Sequence, residues 1–262
     1  MGDHLGLLQA DYGPRNIMQG GLLWLTVRWT SDGRPVGDYQ ACVTMLKDSG
    51  EAVLSDCETL PPSWPTSKWD VDEIVRGDTI LQAGPFIDPG AYSLTLFLVD
   101  SDSGDQVGQT LNLGSVEIEA LPRTYETPDL AHRIDARWGE KIALPGFHLE
   151  ESTDSLSLTV YWQALERLSA SYKVFTHLVN QSTGEVAAQV DTVPREWSYP
   201  TSWWDSGEVI SDTINLPVAD LPPGQYRLQV GFYDPDTGER LTATTAEGQP
   251  YPENTVPLTI LE

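Results

Sequence analysis

Tyr199-Pro200-Thr201-Ser202-Trp203-Trp204-Asp205 has a counterpart earlier in the same chain, Trp64-Pro65-Thr66-Ser67-Lys68-Trp69-Asp70. Outward from each copy, the same landmarks recur in the same order. Upstream, Leu23, Leu25, Val27 and Trp29 alternate with Trp24, Thr26 and Arg28, as Leu156, Leu158, Val160 and Trp162 alternate with Ser157, Thr159 and Tyr161. Successive side chains of an extended chain point to opposite faces, so this period of two specifies half-buried strands rather than helices. Runs 39–46 and 172–179 follow, and each ends in a hairpin turn, Lys47-Asp48-Ser49-Gly50-Glu51 or Asn180-Gln181-Ser182-Thr183-Gly184-Glu185. Each turn places glycine where positive φ is needed. Return strands 52–57 and 186–192 lead into the two Pro-Thr-Ser motifs.

Downstream of the motifs, Glu73-Ile74-Val75 and Glu208-Val209-Ile210 begin strands that reach Asp78-Thr79-Ile80 and Asp212-Thr213-Ile214. Pro89-Gly90-Ala91-Tyr92 and Pro223-Gly224-Gln225-Tyr226 then introduce alternating strands, with Tyr92, Leu94, Leu96 and Leu98 on one face and Tyr226, Leu228, Val230 and Phe232 on the other copy's equivalent. A tyrosine just after a turn, at the start of a late strand, fits the tyrosine corner of Greek-key sandwiches. Closing hairpins Asp100-Ser101-Asp102-Ser103-Gly104 and Asp234-Pro235-Asp236-Thr237-Gly238 precede last strands over 115–119 and 256–261. No helix of three turns is evident. Seven or eight short strands per copy predict an all-β protein of two tandem Ig-like β-sandwich domains, of Greek-key or jelly-roll type, made by internal duplication. The first spans 1–120 and the second 139–262. Residues 121–138, with Pro122, Pro128 and many charges, read as the linker.

A chain of 262 residues suffices for two domains with their own cores, and 40% apolar with 21% charged residues fits a folded protein. The formal charge of −24 repels phosphate backbones and anionic headgroups, which disfavours nucleic-acid and membrane-surface partners. No run reaches the roughly 18 apolar residues of a membrane-spanning helix, so no membrane insertion is expected of this fragment. Met1-Gly2-Asp3-His4 lacks the basic and apolar regions of a signal peptide. Cys42 and Cys57 are the two cysteines, both in the first copy; they could face each other across neighbouring strands or stay as buried thiols.

The repeated motif offers the candidate site. Trp69 and Trp204 occupy equivalent places and read as structural plugs at the sandwich end, alongside the structural Tyr92 and Tyr226. Trp64, Trp197, Tyr199 and Trp203 lie on loops, and Trp203 is replaced by Lys68 in the other copy. With Asp70 and Asp205 beside them, they form the candidate ligand-binding set, because exposed aromatics stack on sugar rings while carboxylates hold the hydroxyls. Asp70 with Glu73 and Asp205 with Glu208 are local to one turn, whereas glycosidases set two carboxyls facing across a cleft. Catalytic residues and cofactors are therefore expected to be none. Asp100, Asp102, Asp234 and Asp236 resemble half a calcium loop but lack its distal glutamate, so turns with a glycine bulge are expected and no metal site. His4, His132, His148 and His177 are scattered.

Tyr172-Lys173-Val174-Phe175-Thr176-His177-Leu178, the Pro200-Thr201-Ser202-x-Trp204 motif, and Leu221-Pro222-Pro223-Gly224-Gln225-Tyr226 with Gly231-Phe232-Tyr233-Asp234-Pro235 together carry a resemblance. They resemble the C-terminal extracytoplasmic β-sandwich modules of large bacterial membrane proteins, many of them dolichyl-phosphate-mannose-type glycosyltransferases. The second copy resembles them over most of its length; the first departs, with Cys42 for Phe175 and Lys68 for Trp203. The resemblance implies a non-catalytic accessory module outside the cytoplasm, tethered through a membrane-embedded portion that lies outside this chain and holds the catalytic groups. Its expected partners are a glycan or another domain of the same polypeptide. The alternative is a structural spacer or protein-interaction pair of domains.

Overall fold

The computed structural model describes residues 4–59, 61 and 63–261, so the opening Met1-Gly2-Asp3 lies outside the described residues. The chain divides into two units, Met1–Pro122 and Arg123–Glu262.

In the first unit the strands are β1 (Leu5–Gly13), β2 (Asn16–Met18), β3 (Leu22–Ser31), β4 (Tyr39–Leu46), β5 (Ala52–Glu58), β6 (Ile74–Gln82), β7 (Gly90–Asp100) and β8 (Gln106–Glu119). They form two sheets, β1-β3-β6 and β2-β8-β7-β4-β5. The chain leaves one sheet after β1 and joins the other through β2, which runs parallel to β8. In the second unit follow β9 (His132–Trp138), β10 (Ile142–Glu151), β11 (Ser155–Ala164), β12 (Lys173–Asn180), β13 (Val186–Thr192), β14 (Val209–Pro217), β15 (Tyr226–Tyr233), β16 (Ala243–Thr245) and β17 (Val256–Leu261). Its sheets are β14-β11-β10-β9-β16 and β13-β12-β15-β17. Each unit is an Ig-like β-sandwich, and the helical content of the described residues is limited to short 3-10 turns.

Period two drives the packing. Leu23, Leu25, Val27 and Trp29 of β3 are buried while Leu22 and Trp24 face out, and Leu156, Leu158, Val160 and Trp162 of β11 are buried likewise. Opposite them lie Leu94, Leu96 and Leu98 of β7, or Leu228, Val230 and Phe232 of β15. The registers agree strand for strand: Trp29 pairs with Val75 as Trp162 pairs with Ile210. Even the irregularity in the first strand recurs, between Leu7 and Gln9 in one unit and between Ala143 and Gly146 in the other. Both tyrosine corners are formed: the Tyr92 hydroxyl donates to the Asp88 carbonyl and that of Tyr226 to the Pro222 carbonyl, each at 2.6 Å.

Cys42 and Cys57 sit opposite each other on β4 and β5 and are joined in a disulfide. In the second unit the Phe175 side chain takes that place, lying over Gly231, and Asp191 stands opposite it.

Two readings of the sequence need correction. Residues 121–138 are not a linker throughout, because 132–138 form β9 and pair with β10. Ile134, Ala136 and Trp138 point inward, but Arg133, Asp135 and Arg137 between them hide the alternation. Thr124 also belongs to the second unit, its carbonyl accepting the Val209 N–H at 2.7 Å. Asp78 is not the equivalent of Asp212. In the sheet register Val27 pairs with Gly77 where Val160 pairs with Asp212. Asp78 is exposed and accepts from the Thr26 hydroxyl at 2.6 Å, whereas Asp212 is fully buried.

Candidate functional site

The Pro-Thr-Ser motif is built the same way in both units. A 3-10 turn over Thr201–Trp203, or Thr66–Lys68, follows an extended proline. The buried Thr201 hydroxyl donates to the Ala170 carbonyl at 2.9 Å and accepts the Tyr172 N–H at 2.9 Å. Thr66 does the same with the Gly37 carbonyl, 2.9 Å, and the Tyr39 N–H, 3.0 Å. A single side chain thus ties the loop to the start of the third shared strand. Trp204 and Trp69 are 0% and 1% exposed, and their indole N–H groups donate to the Tyr199 and Trp64 carbonyls at 3.2 and 3.0 Å.

The acidic residues of the motif also serve the backbone. Glu208 accepts the Asp205 N–H at 2.9 Å, and Glu73 accepts the Asp70 N–H at 2.9 Å. Asp205 bonds Arg167 and Asp70 bonds Arg34, both at 2.7 Å. The Arg167 hydrogen bond holds the Asp205 carboxyl below the usual aspartate range. Each acidic pair lies in one turn, not across a cleft.

The candidate aromatics separate. Tyr199 is buried, 4% exposed, which removes it from a solvent-facing set. Its hydroxyl donates to Glu208 at 2.7 Å, and Arg123 forms an ion pair with the same buried carboxylate. Burial first, and then the Glu208 hydrogen bond, push the Tyr199 phenol well above its ordinary value. Arg123 also donates to the Trp203 carbonyl at 2.8 Å. The physical reason for the correction is that a buried arginine and glutamate need partners, and the Tyr199 hydroxyl supplies one. Trp203 is half-buried, its ring edge-on to Tyr199 with centroids 6.3 Å apart. Trp64, 44% exposed, and Asp70 belong to the first unit, whereas Trp197, Tyr199, Trp203 and Asp205 belong to the second.

Trp197 is the one most open to solvent, at 59% exposure. It ends a run of three residues with positive φ, Arg195 (55°), Glu196 (53°) and Trp197 (70°). Left-handed backbone costs a residue other than glycine roughly 1–2 kcal/mol. The run is closed by hydrogen bonds from Trp197 N–H to the Val193 carbonyl, 2.9 Å, and Tyr199 N–H to the Pro194 carbonyl, 3.1 Å. It is anchored from below by Asp212. That carboxylate accepts the Arg195 N–H at 2.7 Å and the Trp162 indole N–H at 3.2 Å. Burial raises the Asp212 carboxyl above the ordinary aspartate value. On one side of the Trp197 ring stands the Lys173 ammonium, 4.6 Å from the centroid. Arg195 covers the Tyr199 ring at 4.7 Å.

No sequence motif marks Lys173, Arg195 or Asp212 as neighbours of Trp197. Asp212 was findable: it falls at the inward parity of a strand whose other inward residues are Ile210, Ile214 and Leu216. The aspartate hairpins are turns. Asp100 Oδ1 accepts from the Asp102 and Ser103 N–H groups, and Gly104 has φ +75°. Among the described residues no group of three or more His, Cys, Asp or Glu side chains is arranged to hold a metal. A cleft of about 260 Å³, lined by Leu156, Val218, Pro223 and Leu261, lies at the other end of the second sandwich from the motif.

No family model matches the chain, and no curated protein matches it. Among solved structures, the crystal structure of a mutant Salmonella alpha-2-macroglobulin is similar at 12% identity with a TM-score of 0.27, over 90% of this chain and 14% of that one. The chain therefore spans a small fraction of that protein's length, and the assignment to Ig-like sandwiches rests on the sheets described above. Among the described residues no helix is long and apolar enough to cross a membrane.

Proposed function

We propose that the chain is a non-catalytic accessory module of a membrane glycosyltransferase-like protein, working outside the cytoplasm and binding carbohydrate at the Trp197 loop. The observation that carries this reading is the presentation of Trp197. Its indole is 59% exposed on a left-handed turn held from beneath by a buried aspartate. An aromatic kept in the open at a cost in backbone strain is better explained by contact with a ligand than by packing. A ring backed on one face by Lys173 leaves its other face for a sugar to stack on. The disulfide Cys42–Cys57 is compatible with an oxidising compartment.

The test is a titration of the intact chain with polysaccharides of varied composition, read by tryptophan fluorescence and a glycan array. At least one glycan should bind, and Trp197→Ala should abolish the response while Trp64→Ala leaves it intact. Silence across all of them would refute the reading.

A second reading, a structural spacer or protein-interaction pair, is favoured by a different observation. The repeated motif is hydrogen-bonded inward in both units, through Thr66, Trp69, Thr201 and Trp204. A spacer would bind no glycan even with Trp197 in place, and would keep its stability when Trp197 is removed.

A further inference from the structure

The two sandwiches differ at several sheet edges, and one of these differences points outward from the first. In the second unit, the strand β10 is flanked on its far side by β9, with Trp138 opposite Ile142 and Ala136 opposite Leu144. In the first unit, β1 is the corresponding strand, with Leu5 and Leu7 in the places of Ile142 and Leu144 relative to β3 and β11. Yet β1 ends its sheet, and its outer edge has no strand beside it among the described residues. A row of unpaired backbone donors and acceptors is a template for another strand.

What β9 brings to the second unit defines what would fit. Trp138 is buried, packing edge-on against Trp162 at 5.6 Å and Phe232 at 5.1 Å between centroids. The equivalents of those two residues in the first unit are Trp29 and Leu98. There they line a narrow cleft together with Leu5, Tyr39, Ala41 and Trp69. The cleft holds about 10 Å³, room for a single water, so an incoming ring must displace part of this lining.

The geometry points to the β1 edge as a docking site for an extended strand of a partner polypeptide, antiparallel to β1, with an aromatic side chain opposite Leu5. The partner strand carries a small residue opposite Leu7, as Ala136 stands opposite Leu144, and a basic excess on its outer side, as β9 carries Arg133 and Arg137 around Asp135. Cationic flanks complement a chain of net charge −24. The same charge opposes a second copy in that role, even though Tyr12 and Ala10 of another β1 would fall opposite Leu5 and Leu7.

The test uses the intact chain and a capped peptide copying residues 132–138. Binding is measured by calorimetry, and its location by amide hydrogen exchange. The peptide should bind saturably and slow exchange within Leu5–Gly13, and its W138A version should bind about tenfold more weakly. Leu7→Lys, which sets a charge on the inner side of the edge, should abolish binding. The unaltered protein with the W138A peptide keeps the test valid if Leu7→Lys unfolds. Absence of binding, protection confined to β6 or the second unit, or a peptide-free dimer that protects β1 would each overturn the proposal.

Discussion

Asp212 and Arg195 are joined by a 2.7 Å hydrogen bond from the Arg195 backbone N–H to the Asp212 carboxylate, which lies inside the second sandwich. This bond places a left-handed turn on top of the core. Replacing Asp212 by alanine leaves the Arg195 N–H and the Trp162 indole N–H without an acceptor. The expected loss is about 2–6 kcal/mol, measured by urea denaturation, since each of the two orphaned donors costs about 1–3 kcal/mol. The Trp197 loop should also become susceptible to proteolysis in Asp212→Ala.

The same carboxyl sets a pH dependence. Its folded-state value is raised by burial above the ordinary 3.8, so the folded protein holds this proton over a range where the unfolded chain has released it. Stability from this group therefore falls as pH rises from the ordinary aspartate value through the raised one. Asp212→Asn should remove that component, flattening the stability profile on the acid side of neutrality in parallel denaturation series. An unchanged slope would show that Asp212 titrates normally.

Thr66 and Thr201 each bridge a carbonyl and an N–H from the start of a strand to the motif. Valine keeps the shape and removes both bonds. Thr201→Val and Thr66→Val should each cost about 2 kcal/mol in the unit that carries the change. Calorimetry on the two variants and on the double variant would check it, with additive losses expected because the sites share no partner.

Reduction of the Cys42–Cys57 disulfide opens a loop with a sequence separation of 15 residues. A cross-link of that span stabilises by about 3 kcal/mol in the chain-entropy account. Denaturation with and without reductant should lower the transition of the first unit and leave that of the second, which has no cysteine, where it was.

The duplication, the alternating strands and the hairpins were legible because each rests on local rules: period two, glycine at positive φ, tyrosine after a turn. Tyr92 and Tyr226 bond back four residues upstream as such corners do. What the sequence concealed depended on distant partners. Tyr199 sits on a loop, but Arg123 and Glu208 draw its hydroxyl inside. The β9 strand is masked by its charged outer residues. The matching Asp-Thr-Ile triplets suggested an equivalence of Asp78 with Asp212 that is wrong by one residue, and in a strand one residue exchanges inside for outside. Of the candidate site, the position of Trp197 in a loop was readable; its left-handed turn and the aspartate beneath it were not.

The ion pair between Arg123 and Glu208 makes the evolutionary and mechanical boundaries of the second sandwich different. A fragment begun at Gly139, where the duplicated sequence starts, would strand the Glu208 carboxylate in the interior without a counter-charge and leave β10 bare along one side. Dissection of the chain into autonomous halves has to cut at the junction of Pro122 and Arg123.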